Sequence, residues 1–442
     1  MSDNTKTSKF QIILIVVFIV FFIIAVMSFA GIIKLPGNKS KNGAENISGK
    51  VLIWGTLPKN NISAILDNLG TNNKDLSVSY SQKDPRTYDK ELLEAFASNN
   101  TPDIFMLPSD LILKYRNKVT PIPYIMYPAE TYKRTFIQEA EIYMNTEGIL
   151  AVPVTVDPIV MYYNRDMLQS AGIAHPPVFW DELKDIMSKI VKKDNAGNIS
   201  KSVISFGQFS NVNHAKDILS MLLFQINNSI VNIDTTGKPV SVLGYSDAKS
   251  IPPSEVLNFF GGFTDPSNFL YSWNKSMPNS LDAFASGDLA FYFGYTSELP
   301  LIQSQNPNLN FDVVIVPQIR NSTKVTTGRI NALALSRLSK NVTASYYVIG
   351  QLTSPEINQQ ISNTLSLPPV LRDLLAKKPA SPSYASVFYD SALISRGWLD
   401  PSSEKTDKIF KDLVENIASN RYDANESISK ANTELNLLLN DK

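Results

Sequence analysis

The chain has 442 residues, with 41 Lys plus Arg balancing 41 Asp plus Glu, two His and no Cys. The missing Cys excludes a disulfide scaffold, a thiol nucleophile, iron–sulfur clusters, thiolate zinc sites and a lipid-bearing cysteine anchor, and two His cannot build a three-His metal centre, so no metal or cofactor is expected. Balanced charge leaves no footprint for nucleic acid, and the length exceeds the roughly 250 to 300 residues that one core fills, which predicts at least two domains.

From Phe10 to Ile33, between Lys9 and Lys34, no residue is charged. As a helix at about 1.5 Å per residue this stretch is about 36 Å long, enough to cross a hydrocarbon core of roughly 30 Å. It exceeds the roughly 7 to 15 apolar residues of a cleaved signal, so residues 10–33 read as a transmembrane anchor or uncleaved signal behind a cytoplasmic 1–9. The small-x-small pattern Ser28-Phe29-Ala30 keeps cleavage as the alternative. Lys residues flank both ends, so the positive-inside rule does not orient the span. Residues 34–49, rich in Lys, Asn, Ser and Gly, read as a linker.

From Lys50 the pattern alternates strand and helix. Val51 to Trp54 is an apolar run stopped by Gly55 and reads as a buried strand. Arg86 to Ser98 places Tyr88, Leu92, Leu93 and Phe96 at helical spacing, and Thr101-Pro102 separates that helix from a strand over Asp103 to Leu107. Phe179 to Val191 repeats the helical spacing with Leu183, Ile186, Met187 and Ile190. Leu289 to Phe293 and Phe311 to Val316 read as strands, and two amphipathic helices follow, around Ile409 to Ile417 and Ile428 to Leu438. Strand, helix, strand order predicts an α/β class with helices on both faces of parallel-rich sheets. The chain holds no nucleophile elbow, no phosphate-binding loop, no dinucleotide fingerprint and no paired-His zinc motif. S-x-x-K matches such as Ser246 to Lys249 have no K-T-G beside them and read as chance.

Four segments together carry a resemblance. They are Thr101-Pro102-Asp103-Ile104; Gly148 to Pro153, followed by Asp157 and Met161 to Leu168; Ala171-Gly172-Ile173 with Pro176-Pro177 and Trp180 to Leu183; and Phe284 to Ala290 with Gly294. In that order and spacing the chain, from about Lys50 to its end, resembles extracellular solute-binding proteins of the maltose-binding type, the receptors of ABC sugar importers. Phe179 departs from the family, which usually has Thr there as helix N-cap, a loss of about 1 kcal/mol. A second departure is the absent lipid-bearing Cys, which the span would replace.

The resemblance implies a two-lobed periplasmic-binding-protein-like fold of type II behind the transmembrane helix. Residues 50–155 plus 333–380 would form lobe 1 and residues 156–332 plus 381–442 lobe 2, with crossings near Thr155 to Asp157, near Ala332 and around Pro379 to Ser383. It implies an extracellular or periplasmic body, a carbohydrate or similar polar solute in a cleft that closes by hinge motion, and permease and ATPase partners on separate chains. Loops at strand C-termini face such a crevice, which nominates Thr56, Ser109, Asp110, Tyr295 and Thr296 as solute contacts; the crossing adds Asp157, the family's sugar-stacking region adds Trp398 and Asp400, and Asn213 and His214 complete the set. Tyr295 and Trp398 are the candidate platforms for a sugar's C–H face, and the polar residues are candidates for its hydroxyls. Trp54 and Trp180 read as core, Asp110 equally as a cap for the helix after it, and Tyr271 and Trp273 as cleft shields or surface packing. A membrane-anchored glycoside-type hydrolase, needing two convergent carboxylates, and a non-binding scaffold or sensor are the competing functions.

Overall fold

The structure is a computed structural model describing residues 47–440 apart from 73–74, 246–250 and 381–382. The expected anchor at 10–33, most of the expected linker, Ser246 to Lys249 and part of the third expected crossing lie outside the described residues. No described helix is long and apolar enough to cross a membrane.

The strands are β1 (Gly49–Gly55), β2 (Leu76–Gln82), β3 (Ile104–Pro108), β4 (Val152–Asn164), β5 (Lys192–Lys193), β6 (Ile199–Ile204), β7 (Val231–Ile233), β8 (Pro239–Ser241), β9 (Leu289–Tyr295), β10 (Phe311–Val314), β11 (Thr326–Leu335) and β12 (Ser395–Arg396). Ten of them share one sheet path, β2-β1-β3-β11-β4-β9-β6-β5, with β10 on β4 and β12 on β11; β7 and β8 form a separate hairpin. β1 pairs parallel with β2 and β3, as expected for strands joined through the helices Lys59–Asn72 and Tyr88–Ala97. The expectation of parallel-rich sheets needs correcting, because β11 runs antiparallel to both β3 and β4, and β9 and β10 run antiparallel to β4. Where the chain crosses between lobes it does so as a strand, with no helical crossover to turn it parallel.

The elements form where apolar spacing demands burial. Tyr88, Leu92 and Phe96 bury one helix face, but Leu93, one step round the helix from Leu92, is 48 % exposed and leaves the expected core set. Leu183, Ile186, Met187 and Ile190 are all buried on the helix Leu183–Ile190. Phe179 cannot cap that region, and Glu182 does so instead. Its carboxylate accepts from the N–H groups of Val178 (2.8 Å) and Phe179 (3.4 Å), while Arg320 lies 4.1 Å over the Phe179 ring and pairs with Asp181 and Glu182. Trp180 is core, its indole N–H donating to Gln225 (2.6 Å). Trp273, read as a cleft shield or surface residue, is instead fully buried in lobe 2, its indole donating to Asn211 (3.1 Å).

Two apolar cores divide the chain. One, in lobe 1, holds Val51, Leu92, Phe105, Val152, Val154, Val156 and the β11 residues Ile330 and Ala332 to Leu335. The other, in lobe 2, holds Ile159, Val160, Met161, Tyr162, Phe206, Phe293, Val325, Trp398 and Phe410. β4 therefore starts in one core and ends in the other, passing over at Asp157-Pro158, and β11 returns beside it, with Arg329 opposite Asp157. β12 pairs with the start of β11, so a third segment joins the same place.

Candidate functional site: a cleft between the lobes

Where these crossings meet, a cleft of about 790 Å³ opens between the lobes. Lobe 1 contributes the loops after β1 and β3, with Thr56, Ser109 and Asp110; the crossing strands contribute Asp157, Arg329 and Asn331; lobe 2 contributes His214, Lys216, Asp217, Phe209 and the segment with Trp398 and Asp400. Strand ends and loops face the cleft because their side chains are not consumed by the sheet's two covered faces.

The lobe 2 wall is knitted by charge. His214, in a left-handed conformation just before the helix Ala215–Gln225, sets its Nε2 2.8 Å from Glu298, whose other oxygen accepts from the Tyr292 hydroxyl (2.9 Å) and the Tyr295 N–H (3.0 Å). The Lys216 ammonium stands 3.0 Å from Asp400 and 2.6 Å from Asp407. Burial alone would lower the Lys216 pKa, but the two carboxylates raise it above the usual value. Asp400, only 5 % exposed, also accepts from the Thr406 hydroxyl and the Ser402 N–H; burial still holds its carboxyl above the ordinary range against these partners. Arg329 lies 4.1 Å over the Tyr295 ring and 3.3 Å from Asp217. Its side chain is more than half exposed; desolvation in the cleft opposes its charge, yet Tyr295 and the nearby carboxylates Asp217, Asp157 and Asp110 keep its pKa above the usual value.

The floor and the lobe 1 wall differ. Asp157 accepts from the Thr296 hydroxyl (2.7 Å) and the Ser297 N–H (3.0 Å), and burial raises its pKa in spite of them. Asp110 is raised by burial and then by Asp400; Lys216, its own backbone N–H and Arg329 pull the other way, and no other described residue donates a hydrogen bond to its carboxylate. Beneath the floor, Glu139 is 1 % exposed with neither carboxylate oxygen hydrogen-bonded. The Ser395 hydroxyl beside it donates to the carbonyl of Ala392 (3.0 Å). Its carboxyl fits only because Gly328 and Gly397 lack side chains: a Cβ on either would stand 2.6 Å or 3.1 Å from one of its oxygens. Burial pushes its pKa up to about 7, and the charges of Asp157 and Asp217 add to the rise.

Seven of the ten nominated residues line the cleft: Thr56, Ser109, Asp110, Asp157, His214, Trp398 and Asp400. Asp110 caps no helix; it lies inside the short turn Ser109–Leu111 that Pro108 opens. Three nominated residues are elsewhere. Asn213 turns to Ser280, accepting from its hydroxyl (2.9 Å). Tyr295 is buried beneath Arg329 and edge-on to His214, so it supports the wall and offers no platform. Thr296 is buried and spends its hydroxyl on Asp157. The nominations omitted Lys216, Asp217, Arg329, Asn331 and Glu139. Arg329 stands in Thr326-Thr327-Gly328-Arg329-Ile330-Asn331, ahead of the apolar Ala332 to Leu335, where no pattern marks it in the sequence.

Two lobes joined by crossing strands over a polar cleft define the class of extracellular solute-binding proteins. The chain matches the family model described as bacterial extracellular solute-binding protein over residues 64–386, and it belongs to that family. Among curated proteins it is 23 % identical to a binding protein of Brucella abortus over 241 residues, 54 % of each chain, and 25 % identical to the maltotriose-binding protein of Pyrococcus abyssi over 156 residues, 34 % of this chain and 33 % of that one. These matches span about half or less of the curated relatives' length. Among solved structures, the cyclic alpha-maltosyl-1,6-maltose binding protein of Arthrobacter globiformis superposes with a TM-score of 0.72 at 13 % identity, covering 89 % of this chain and 100 % of that one, which shows a shared fold.

Proposed function

We propose that this chain is the solute receptor of an ABC importer, taking a carbohydrate or similar polar solute into the cleft and presenting the closed form to a separate permease. The observation that carries this reading is the cleft itself: its lining comes from both lobes and from the strands that join them, so an occupant touches everything that must move for the lobes to close. Family membership supports binding over turnover, and we assign no catalytic residue. The uncharged stretch Phe10 to Ile33 supports a single-pass membrane anchor, and membership of the extracellular family supports a body outside the cell. Lobe 1 on this view is built on residues 50–155 plus 333–380 and lobe 2 on 156–332 plus 381–442, although the crossing residues Val156, Ile330 and Ala332 and the later Tyr389 and Ala392 pack on the lobe 1 core.

The test is the thermal unfolding midpoint of the full chain in detergent, with and without a panel of mono- and oligosaccharides. A ligand at 100 times its dissociation constant adds about 2.7 kcal/mol of stability, a rise of several degrees. A rise with the solute recovered intact is the expected result. A consumed solute would point to a hydrolase, and no rise across the panel to a scaffold.

A further inference from the structure

We propose that the solute of this cleft carries an aliphatic ammonium group, received by Asp110 and Asp157. It rests on the cleft being a solute site and names the chemistry of what enters.

The charge arithmetic of the lining is uneven. Asp110, Asp157, Asp217, Asp400 and Asp407 face two cations, Lys216 and Arg329, with Asp89 already paired to Lys114 and His214 held by Glu298. Lys216 is committed, whereas Arg329 keeps more than half of its side chain exposed. Lys216 bridges Asp400 and Asp407, and Arg329 pairs with Asp217. Asp110 and Asp157 are left with no basic group at ion-pair distance among the described residues, and the floor below them covers Glu139, buried with neither oxygen bonded. A neutral polyol would hydrogen-bond these carboxylates while taking them further out of water with only the more distant Lys216 and Arg329 as countercharge, which is the costly direction for buried ions. An ammonium supplies donors and countercharge together. Both acids also sit above their ordinary pKa range through burial, the condition a bound cation relieves.

The aromatic lining agrees. Tyr88 is buried with its hydroxyl spent on the Met106 carbonyl (2.6 Å), and Trp398 is 9 % exposed against Phe410, which leaves the half-buried Phe209 as the open ring. A long neutral oligosaccharide relies on several exposed rings for its C–H faces; this cleft offers charge in their place.

The experiment compares unfolding midpoints and calorimetric affinities of the full chain in detergent for four classes of probe: glucosamine dimer and trimer, their N-acetylated counterparts, maltotriose, and spermidine. Expected is binding of the free-amine sugars or of spermidine at least about tenfold tighter than of the acetylated or neutral sugars, weakened about tenfold by Asp110→Asn. The amino-sugar and spermidine arms tell which molecule presents the ammonium. Equal binding of N-acetylated or neutral sugars would overturn the inference and leave the receptor reading standing. Silence from all four classes of probe would overturn the inference and count against the receptor reading as well.

Discussion

The two walls of the cleft are built on opposite principles. On lobe 2 the charges are satisfied within the protein, His214 by Glu298, Lys216 by Asp400 and Asp407, and Arg329 by Asp217, so their geometry is set when the lobe folds. On lobe 1 the Thr56 hydroxyl reaches only the Met106 sulfur (3.6 Å), and Asp110 has no donor from another described residue. A rigid wall facing an uncommitted one lets a single lobe closure complete the site, because ordering costs on one side are met before the solute arrives.

The largest effect should come from removing the pivot of the lobe 2 wall. Lys216→Met leaves Asp400 buried without its cation and should lower stability to urea unfolding by about 3 to 5 kcal/mol. A loss below about 1 kcal/mol would mean that wall is not held by charge, and the contrast between walls would go with it.

Next comes the acid beneath the floor. Glu139 has an ordinary carboxyl pKa of 4.5 when unfolded and about 7 when folded, so its protonated form favours folding. The sign follows: stability is lost as pH rises from about 4.5 to 7, by at most about 3 kcal/mol, and is flat above that window. Glu139→Gln removes the titration. Unfolding free energies of the two proteins from pH 4 to pH 8 should therefore diverge to the wild type's disadvantage, and parallel curves would show that the carboxyl has a partner. The smallest effect belongs to lobe 1. Asp110→Asn should change unliganded stability by no more than about 0.5 kcal/mol, and a loss above about 1 kcal/mol would show that this wall, too, is locked.

Local pattern made the scaffold legible. The spacing of Leu183, Ile186, Met187 and Ile190, the run Val51 to Trp54 and the strand after Pro102 are all elements whose burial follows from near neighbours in sequence. The strand-end rule found Asp110 for the same reason, and the expected crossing found Asp157. The rule failed at Tyr295 and Thr296 because it places a loop at the cleft without saying which way each side chain turns, and these two turn inward. The ion pairs were illegible for a different reason: Lys216 and Asp400 are 184 residues apart, Arg329 and Asp217 112 apart, and only the crossing of the lobes brings them together. The parallel expectation failed for β11 at the same crossing, where strands replace helices as connectors, and again for β9 and β10 on the lobe 2 half of β4.

One of those crossing strands also dictates an order of assembly. β11 lies between β3 and β4, yet it follows them by more than 160 residues, in which β6, β9 and β10 of lobe 2 are made. Until the ribosome has delivered Thr326 to Leu335, β3 and β4 expose facing edges that no neighbour closes, and lobe 1 waits as two open half-sheets while much of lobe 2 is already present. The nascent chain is thus most exposed to mispairing during the synthesis of the lobe that is not yet at fault, and a holding chaperone would find its target in the earlier one.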